Sequence, residues 1–151
     1  MKTRYEDSLF YQIHSTAKYF DKLFEQFFKD INLGVSASEH LALMIIFDSN
    51  NCCQRDLAKI LLKDRANTGK LVNSLKEKGL IDINLTTKNN RPVKILTITK
   101  TGVELVNKSM NLFEPLKKQI ESVFTEKKLE ETKKSLANFR ESVSKAIKTN
   151  I

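Results

Sequence analysis

The chain has 151 residues and a formal net charge of +8 at pH 7, and this length suffices for one domain with a hydrophobic core. Its longest apolar run, residues 41–47, is far too short to cross a bilayer, and the charged residues 1–7 lead straight into an amphipathic segment. We therefore expect neither a membrane span nor a secretory signal. Two adjacent cysteines cannot build a disulfide framework, which favours a cytoplasmic protein.

The positive charge is unevenly distributed along the chain. Residues 1–51 carry a net −2, residues 52–100 carry +7 and residues 101–151 carry +3. A lysine-rich composition without function would spread the charge evenly. The excess in the middle third therefore predicts a segment that binds a polyanion.

The first two predicted helices are both strongly apolar. Residues 8–30 carry a stripe at helical spacing that needs a partner helix, from the same chain or from a second copy. The stripe consists of Leu9, Phe10, Ile13, Ala17, Phe20, Phe24, Phe27 and Ile31. After it, the spacing of Ser36 and Glu39 predicts a capping box that begins a core helix through residues 41–47.

The next segment predicts a helix-turn-helix. Leu57, Ala58, Leu61 and Leu62 recur at helical spacing and predict one buried helix face. Asp64 can cap a second helix. Its inward positions are Leu71, Val72 and Leu75, and its solvent-facing positions are Arg65, Asn67, Lys70, Asn73, Ser74 and Lys76. Gly79 suits the left-handed residue that follows a helix.

A β-hairpin is predicted next. Apolar residues alternate at Ile81, Ile83 and Leu85, and two-residue periodicity returns in residues 93–98 after a polar loop at 86–92. A helix-turn-helix followed by a hairpin is a winged helix. Its second helix fits a DNA major groove, and the hairpin loop can reach a neighbouring minor groove.

Two further helices complete the predicted chain. Thr99 caps the first, in which Pro115 should bend or break the helix. Thr125 caps the second, whose apolar seam has coiled-coil spacing. The seam consists of Leu129, Thr132, Leu136, Phe139, Val143 and Ala146. We predict that these helices and the first one form a dimer interface.

From about Leu9 to Ile147, the order and spacing of residues resemble the MarR family of bacterial transcriptional regulators. The matching residues are Leu57-Ala58, Asp64-Arg65, Leu71-Val72, Leu75, Lys78-Gly79-Leu80, Asn90-Arg91, Leu96-Thr97 and Thr99-Lys-Thr-Gly102. The resemblance implies a dimer of winged helices that represses promoters. It also implies release of DNA when a small, often phenolic, ligand binds or when a thiol is oxidised.

We predict DNA contacts from the second helix of the helix-turn-helix and from the hairpin loop. Arginine and lysine suit the major-groove acceptors of guanine, asparagine can pair with adenine, and a small residue can meet a thymine methyl or allow close backbone approach. The predicted contacts are Arg65, Ala66, Asn67, Gly69, Lys70, Asn73, Lys76, Lys88, Arg91 and Lys94. Arg91 matches the family's wing arginine.

The chain departs from the family pattern at several of these positions. Asn90 and Pro92 replace an aspartate and an arginine beside the wing arginine. Ala66 and Gly69 are small where hydroxyl residues are common, so the family's base preference does not transfer. Cys53 stands where the family usually has a capping threonine.

An effector pocket is implied by the resemblance, lined by Phe10, Tyr11, His14 and Phe47. Cys52 and Cys53 form a candidate redox pair, because a helix N-terminus can lower a thiol pKa. A metal site would need further ligands, and only His14 and His40 are offered, so we favour two small buried side chains and no metal.

The sequence thus predicts a mostly α chain with a small β-hairpin wing, as a single domain. The winged helix spans about 36–98, and dimerisation helices span about 8–31 and 99–148. The predicted function is a homodimeric repressor that binds a palindromic operator in double-stranded DNA and is released by a small-molecule effector. We predict no enzymatic activity, no cofactor and no membrane partner. The alternatives are a thiol- or metal-responsive regulator, and a protein-interaction module that no longer binds DNA.

Overall fold

The computed structural model describes residues 4–49, 52–88 and 90–150, the last three as backbone only. This part of the chain contains a 3-10 turn at Tyr5–Asp7, six α-helices and three strands. The helices are α1 (Leu9–Ile31), α2 (Ala37–Asp48), α3 (Gln54–Ile60), α4 (Arg65–Glu77), α5 (Lys100–Glu121) and α6 (Glu126–Asn150). The strands are β1 (Cys52–Cys53), β2 (Ile81–Lys88) and β3 (Arg91–Ile98). The predicted fold class is confirmed.

The chain divides into two compact units, Met1–Ser109 and Met110–Ile151. The first unit contains the winged helix, and its core draws one or more side chains from each of its main elements. The fully buried members are Leu43 and Ile46 of α2, Leu57 of α3, Val72 and Leu75 of α4, Ile81 of β2, Leu96 of β3 and Val106 of α5. Phe28 of α1 joins the same cluster. Because one face of α4 packs on this core, the orientation of its opposite face relative to the core is fixed.

The predicted helix caps are present in the first unit. Asn32, in the left-handed region at φ 44°, ends α1. Ser36 Oγ accepts from the Glu39 amide at 3.2 Å, and the Ser36 amide donates to Glu39 Oε2 at 2.7 Å, so the capping box of α2 is complete. Thr99 Oγ1 accepts from the Gly102 amide at 3.1 Å at the start of α5.

The wing is one strand larger and has a shorter turn than predicted. The antiparallel order is β1-β3-β2, and β1 adds Cys52 and Cys53 opposite Leu96 and Ile95. The predicted loop at 86–92 was wrong, because β2 and β3 stay paired out to Lys88 and Arg91. Backbone hydrogen bonds do not require apolar side chains, and Asn90 tolerates the left-handed φ of 56° in the turn.

The solvent exposure of two side chains differs from the prediction. Leu62 is 92% exposed, because α3 ends at Ile60 and the chain reverses through a left-handed φ of 51° at Leu62. Ser74 was predicted to face solvent, but it is half-buried and donates a hydrogen bond to Glu39.

In α2, His40 is packed rather than free. Its Nε2 lies 2.6 Å from Ser109 Oγ, and its ring lies 4.4 Å from that of Phe28. Ser109 already donates its proton to the Val106 carbonyl, so its oxygen accepts from the His40 ring N–H. Burial lowers the pKa of His40 to about 4, so the ring is neutral at neutral pH.

The second unit consists of the end of α5 and the whole of α6. Pro115 lies inside α5 without breaking it. The Lys128 amide donates to Thr125 Oγ1 at 3.4 Å, which is the predicted cap of α6. None of the described helices combines the length and the apolar character that a membrane crossing requires.

Candidate nucleic-acid interface

The start of α4 is fixed by its cap. Asp64 Oδ1 accepts from the Asn67 amide at 2.8 Å, and Asp64 Oδ2 accepts from Asn67 Nδ2 at 2.6 Å. Hydrogen bonds from the Asn67 backbone and side chain lower the pKa of Asp64. Thr68 Oγ1 adds a bond to the Asp64 carbonyl at 2.8 Å, so the first turn is held from both sides of the cap.

The residues of α4 divide into four groups around the helix axis. Thr68, Val72 and Leu75 are buried, and the helical repeat puts Ala66, Lys70 and Asn73 on the opposite, outward face. One flank carries Asn67, Leu71 and Ser74. The other flank carries Arg65, Gly69 and Lys76, and there a Cβ built on Gly69 would lie 3.5 Å from Gln54 Nε2 of α3.

A buried carboxylate ties α4 to α2. Lys78 Nζ donates to Glu39 Oε1 and Oε2 at 2.8 and 2.9 Å, and Ser74 Oγ donates to Oε1. Burial alone would raise the pKa of Glu39, but Lys78 and the bonds from Ser36 and Ser74 outweigh it and lower the pKa to about 2. Glu39 therefore remains ionised and fixes the C-terminal half of α4 against α2.

The three predicted wing cations do not lie on one face. Lys88 and Arg91 are directly opposite each other at the end of the hairpin. Lys94 pairs with Leu85 on the other face of the sheet, where Leu85 is 75% exposed. Two like charges directly across a strand pair repel each other, so the tip of the wing is suited to an anion that relieves this repulsion.

The predicted interface cations are exposed, and they make no ion pair with another described residue. These cations are Arg65, Lys70, Lys76, Lys88, Arg91 and Lys94. The second unit differs, because its lysines commonly pair with glutamates along the same helix. Examples are Lys118–Glu114, Lys133–Glu130 and Lys145–Glu141. The six cations of α4 and the wing are therefore available to an external anion.

One open cleft beside α4 includes residues that the sequence did not single out. It lies between the N-terminal turn of α2 and one flank of α4. It is lined by Ser36, Ser38, Glu39, Lys63, Asn67, Lys70, Leu71 and Ser74. Lys63 and Ser38 are the new members. The only sequence signal for Lys63 is its place just before the cap of α4.

The four predicted effector residues occupy two places in the first unit. Phe10, Tyr11 and His14 lie on the first turns of α1, where Phe10 and His14 are exposed and Tyr11 makes an edge contact of 5.7 Å with Tyr5. Phe47 lies near the end of α2 and packs against the core. Of the four, Tyr11 also lines a shallow depression with residues 4–6.

The surroundings of Cys52 favour its protonated thiol. Cys52 is buried, and burial raises the pKa of its thiol, with Cys53 and Asp56 adding to the effect. Cys53 stands at the N-cap of α3, and its thiol donates to Asp56 Oδ2 at 2.8 Å. Metal binding and oxidation both require the thiolate, so the burial of Cys52 disfavours both reactions at that residue.

Comparison with known proteins agrees with this geometry. A model of the MarR family matches residues 33–88. The S. aureus MepR–DNA complex is similar at 19% identity and a TM-score of 0.74, with 92% of this chain and 99% of that chain covered. A MarR/EmrR family transcriptional regulator from Acinetobacter sp. ADP1 is similar at 21% identity and a TM-score of 0.77, with 89% and 93% covered.

The apo form of wild-type MarR from E. coli is also similar, at 17% identity and a TM-score of 0.71, with 87% of this chain and 96% of that chain covered. No curated protein sequence matches the chain. The predicted resemblance to the MarR family is confirmed for residues 33–88, and the fold is confirmed over most of the chain.

Proposed function

We propose, on the premise that residues 33–88 match the MarR family, that this protein is a transcriptional regulator that binds double-stranded DNA. One observation carries the proposal. Six exposed cations, three on α4 and three on the wing, make no ion pair with another described residue. Positive charge around an exposed helix binds the phosphate backbone of DNA when no acidic side chain compensates it.

In this proposal α4 occupies the major groove. Lys70 and Asn73 face outward from its middle, where a lysine can donate to guanine and an asparagine can pair with adenine. Ala66, on the same face, meets a thymine methyl. Lys88 and Arg91 at the end of the wing approach the neighbouring minor groove, where narrow A·T tracts attract cations.

The proposed protein acts as a homodimer. Each unit by itself exposes large apolar side chains on its helices, including Tyr19 and Phe20 of α1 and Leu136 and Val143 of α6. Apolar surface of this kind marks an interface. A two-fold dimer presents two copies of α4 to the two halves of a palindromic operator.

The proposed mode of action is repression that ends when an effector binds. The dimer can bind the operator only when its two α4 helices have the separation of the two half-sites. An effector releases DNA only if it binds more tightly to a dimer with a different separation. Phe10, Tyr11, His14 and Phe47 remain the proposed effector contacts.

Selection from a random duplex library, repeated over a salt series, tests the proposal. We expect enrichment of a palindrome with half-sites about one helical turn apart, and an affinity that falls steeply with salt. Binding without an enriched sequence, or with no salt dependence, would contradict it and favour a protein-interaction module. Refolding the protein before a second selection removes any effector carried through purification.

A Cys52→Ser/Cys53→Ser double variant separates effector release from thiol release. We expect its operator affinity to match that of the unmodified protein, both before and after treatment with hydrogen peroxide. If peroxide releases only the protein that has both cysteines, the regulator responds to oxidation.

A further inference from the structure

The cleft beside α4 contains two cations whose charge is not compensated within the described chain. Lys63 lies in the turn before α4 and Lys70 lies in the second turn of α4, and both are exposed. Neither makes an ion pair with another described residue, whereas Lys59, only four residues from Lys63, lies 3.7 Å from Asp56. The Ser38 hydroxyl also lines the cleft, and it is exposed.

The one carboxylate that lines the cleft does not make it repel an anion. Both oxygens of Glu39 accept hydrogen bonds from Lys78, which neutralises its charge. Ser74 and the Ser36 amide bond to the same carboxylate. The capping box satisfies the backbone amides of Ser36 and Glu39 at the start of α2. The side-chain donors still available to a ligand include the two ammonium groups, the Ser38 hydroxyl and the second amide hydrogen of Asn67.

We propose that this cleft holds one backbone phosphate of the bound duplex, with Lys63 and Lys70 as its main contacts. The inference rests on the proposed DNA-binding function. The cleft borders the outward face of α4, and phosphates line both edges of the groove that such a helix enters. An open cleft accepts a phosphate that is still attached to a long strand.

The assignment changes the expected roles of two predicted residues. Lys70 reaches both the outward face and the cleft, so it positions the duplex as well as facing the bases. Asn67 has one amide hydrogen engaged by Asp64, so it lines the cleft with reduced capacity to read a base. Phosphate contacts fix the register of a protein on DNA without reading its sequence.

Fluorescence anisotropy with the selected operator and a scrambled duplex, over a salt series, tests the cleft. We expect Lys63→Gln to weaken binding to both duplexes by the same factor, and to reduce the slope of log affinity against log salt by about 1. Lys59→Gln is the matched control in the same winged helix. It should change neither the affinity nor the slope. Lys63→Arg keeps the charge and should keep the slope.

Three results would overturn the inference. The slope could stay unchanged in Lys63→Gln, or the variant could lose affinity for the operator alone, which would indicate base reading. Thirdly, inorganic phosphate titrated into the DNA-free protein could bind saturably through Lys63 while the DNA slope is unaffected, which would assign the cleft to a small free anion. If the unaltered protein binds neither duplex, the proposed function fails first, and this outcome is distinct from all three.

Discussion

At Gly102, the first turn of α5 passes so close to the turn before β2 and to the end of β3 that no side chain fits. A Cβ there would overlap the Leu80 carbonyl oxygen and lie 2.7 Å from Ile98 Cγ1. Thr99 secures the same junction, because its amide donates to the Leu80 carbonyl at 3.0 Å and its hydroxyl to the Gly79 carbonyl at 2.7 Å. This contact explains why the Thr99-Lys-Thr-Gly102 run has a glycine at its end.

Gly102→Ala should therefore destabilise the protein. The methyl group meets backbone atoms that cannot move away alone, so we expect a loss of about 3 kcal/mol in the free energy of unfolding. Urea denaturation followed by circular dichroism measures it. Thr101→Ala, at an exposed neighbouring position, is the control, and equal stability of the two variants would contradict the close approach.

Gly69 is a different kind of glycine, because a Cβ at this position makes only an ordinary contact with Gln54. Glycine in a helix interior costs about 1 kcal/mol relative to alanine, so Gly69→Ala should raise the free energy of unfolding by about that amount. Ala66→Gly, on the exposed face of the same helix, should lower it by a similar amount. The operator affinity of Gly69→Ala then tests whether Gly69 lies in the DNA interface. Unchanged affinity would exclude Gly69 from it.

Among the elements, α4 is held by its core packing and also by one buried carboxylate of α2. Glu39 holds Ser74 and Lys78, which lie 35 and 39 residues away along the chain. Its folded-state pKa is lowered, so its contribution to stability is complete above pH 4.5 and is lost as the pH falls from 4.5 towards 2.

The Glu39→Gln variant tests this link. The shift of the pKa from 4.5 to about 2 corresponds to about 3 kcal/mol, so the variant should lose up to that amount at pH 7. Its stability should also fall less steeply between pH 5 and 2. Thermal unfolding across that range measures both quantities, with Glu77→Gln on the exposed side of α4 as control. Parallel pH profiles for the Glu39 variant and the unaltered protein would contradict the assignment.

At the scale of the whole molecule, α4 and the wing expose cations, and α1 and α6 expose large apolar side chains. The cations of α4 and the wing make no ion pair with another residue that the structure describes, whereas α6 exposes apolar side chains between paired charges, such as Lys133–Glu130. This division suits a protein that binds DNA with one part and its own copy with another. The dimer is part of the proposed function.

Leu136→Asp should separate the two roles. Leu136 is 50% exposed in the middle of α6, so a charge there is tolerated by the single chain but disfavoured in an apolar interface. We expect sedimentation to shift from dimer to monomer, and palindrome binding to lose its steep concentration dependence. Ser135→Asp adds the same charge at the adjacent exposed position and should leave the dimer intact. If the Leu136→Asp variant remains dimeric, Leu136 of α6 does not contribute to the dimer interface.

The sequence by itself determined the features that depend on neighbouring residues. Helical periodicity and short-range caps located α1, α2 and α4, and the Ser36–Glu39 and Asp64–Asn67 bonds span only three residues each. Alternation located the hairpin. The exposed polar positions of α4 followed from the same periodicity, because a helix that buries Val72 and Leu75 must turn its opposite face outward.

The tertiary structure alone decided which distant residues meet. The β1 strand exists because Cys52 pairs with Leu96, and Ser74 is half-buried because Glu39 reaches it from another helix. Leu62 is exposed because the chain turns there, although its spacing matches a buried face. Lys63 became a candidate contact only when α2 was placed beside α4. Periodicity fixes the direction of a side chain relative to its own helix, but packing between elements decides what that side chain meets.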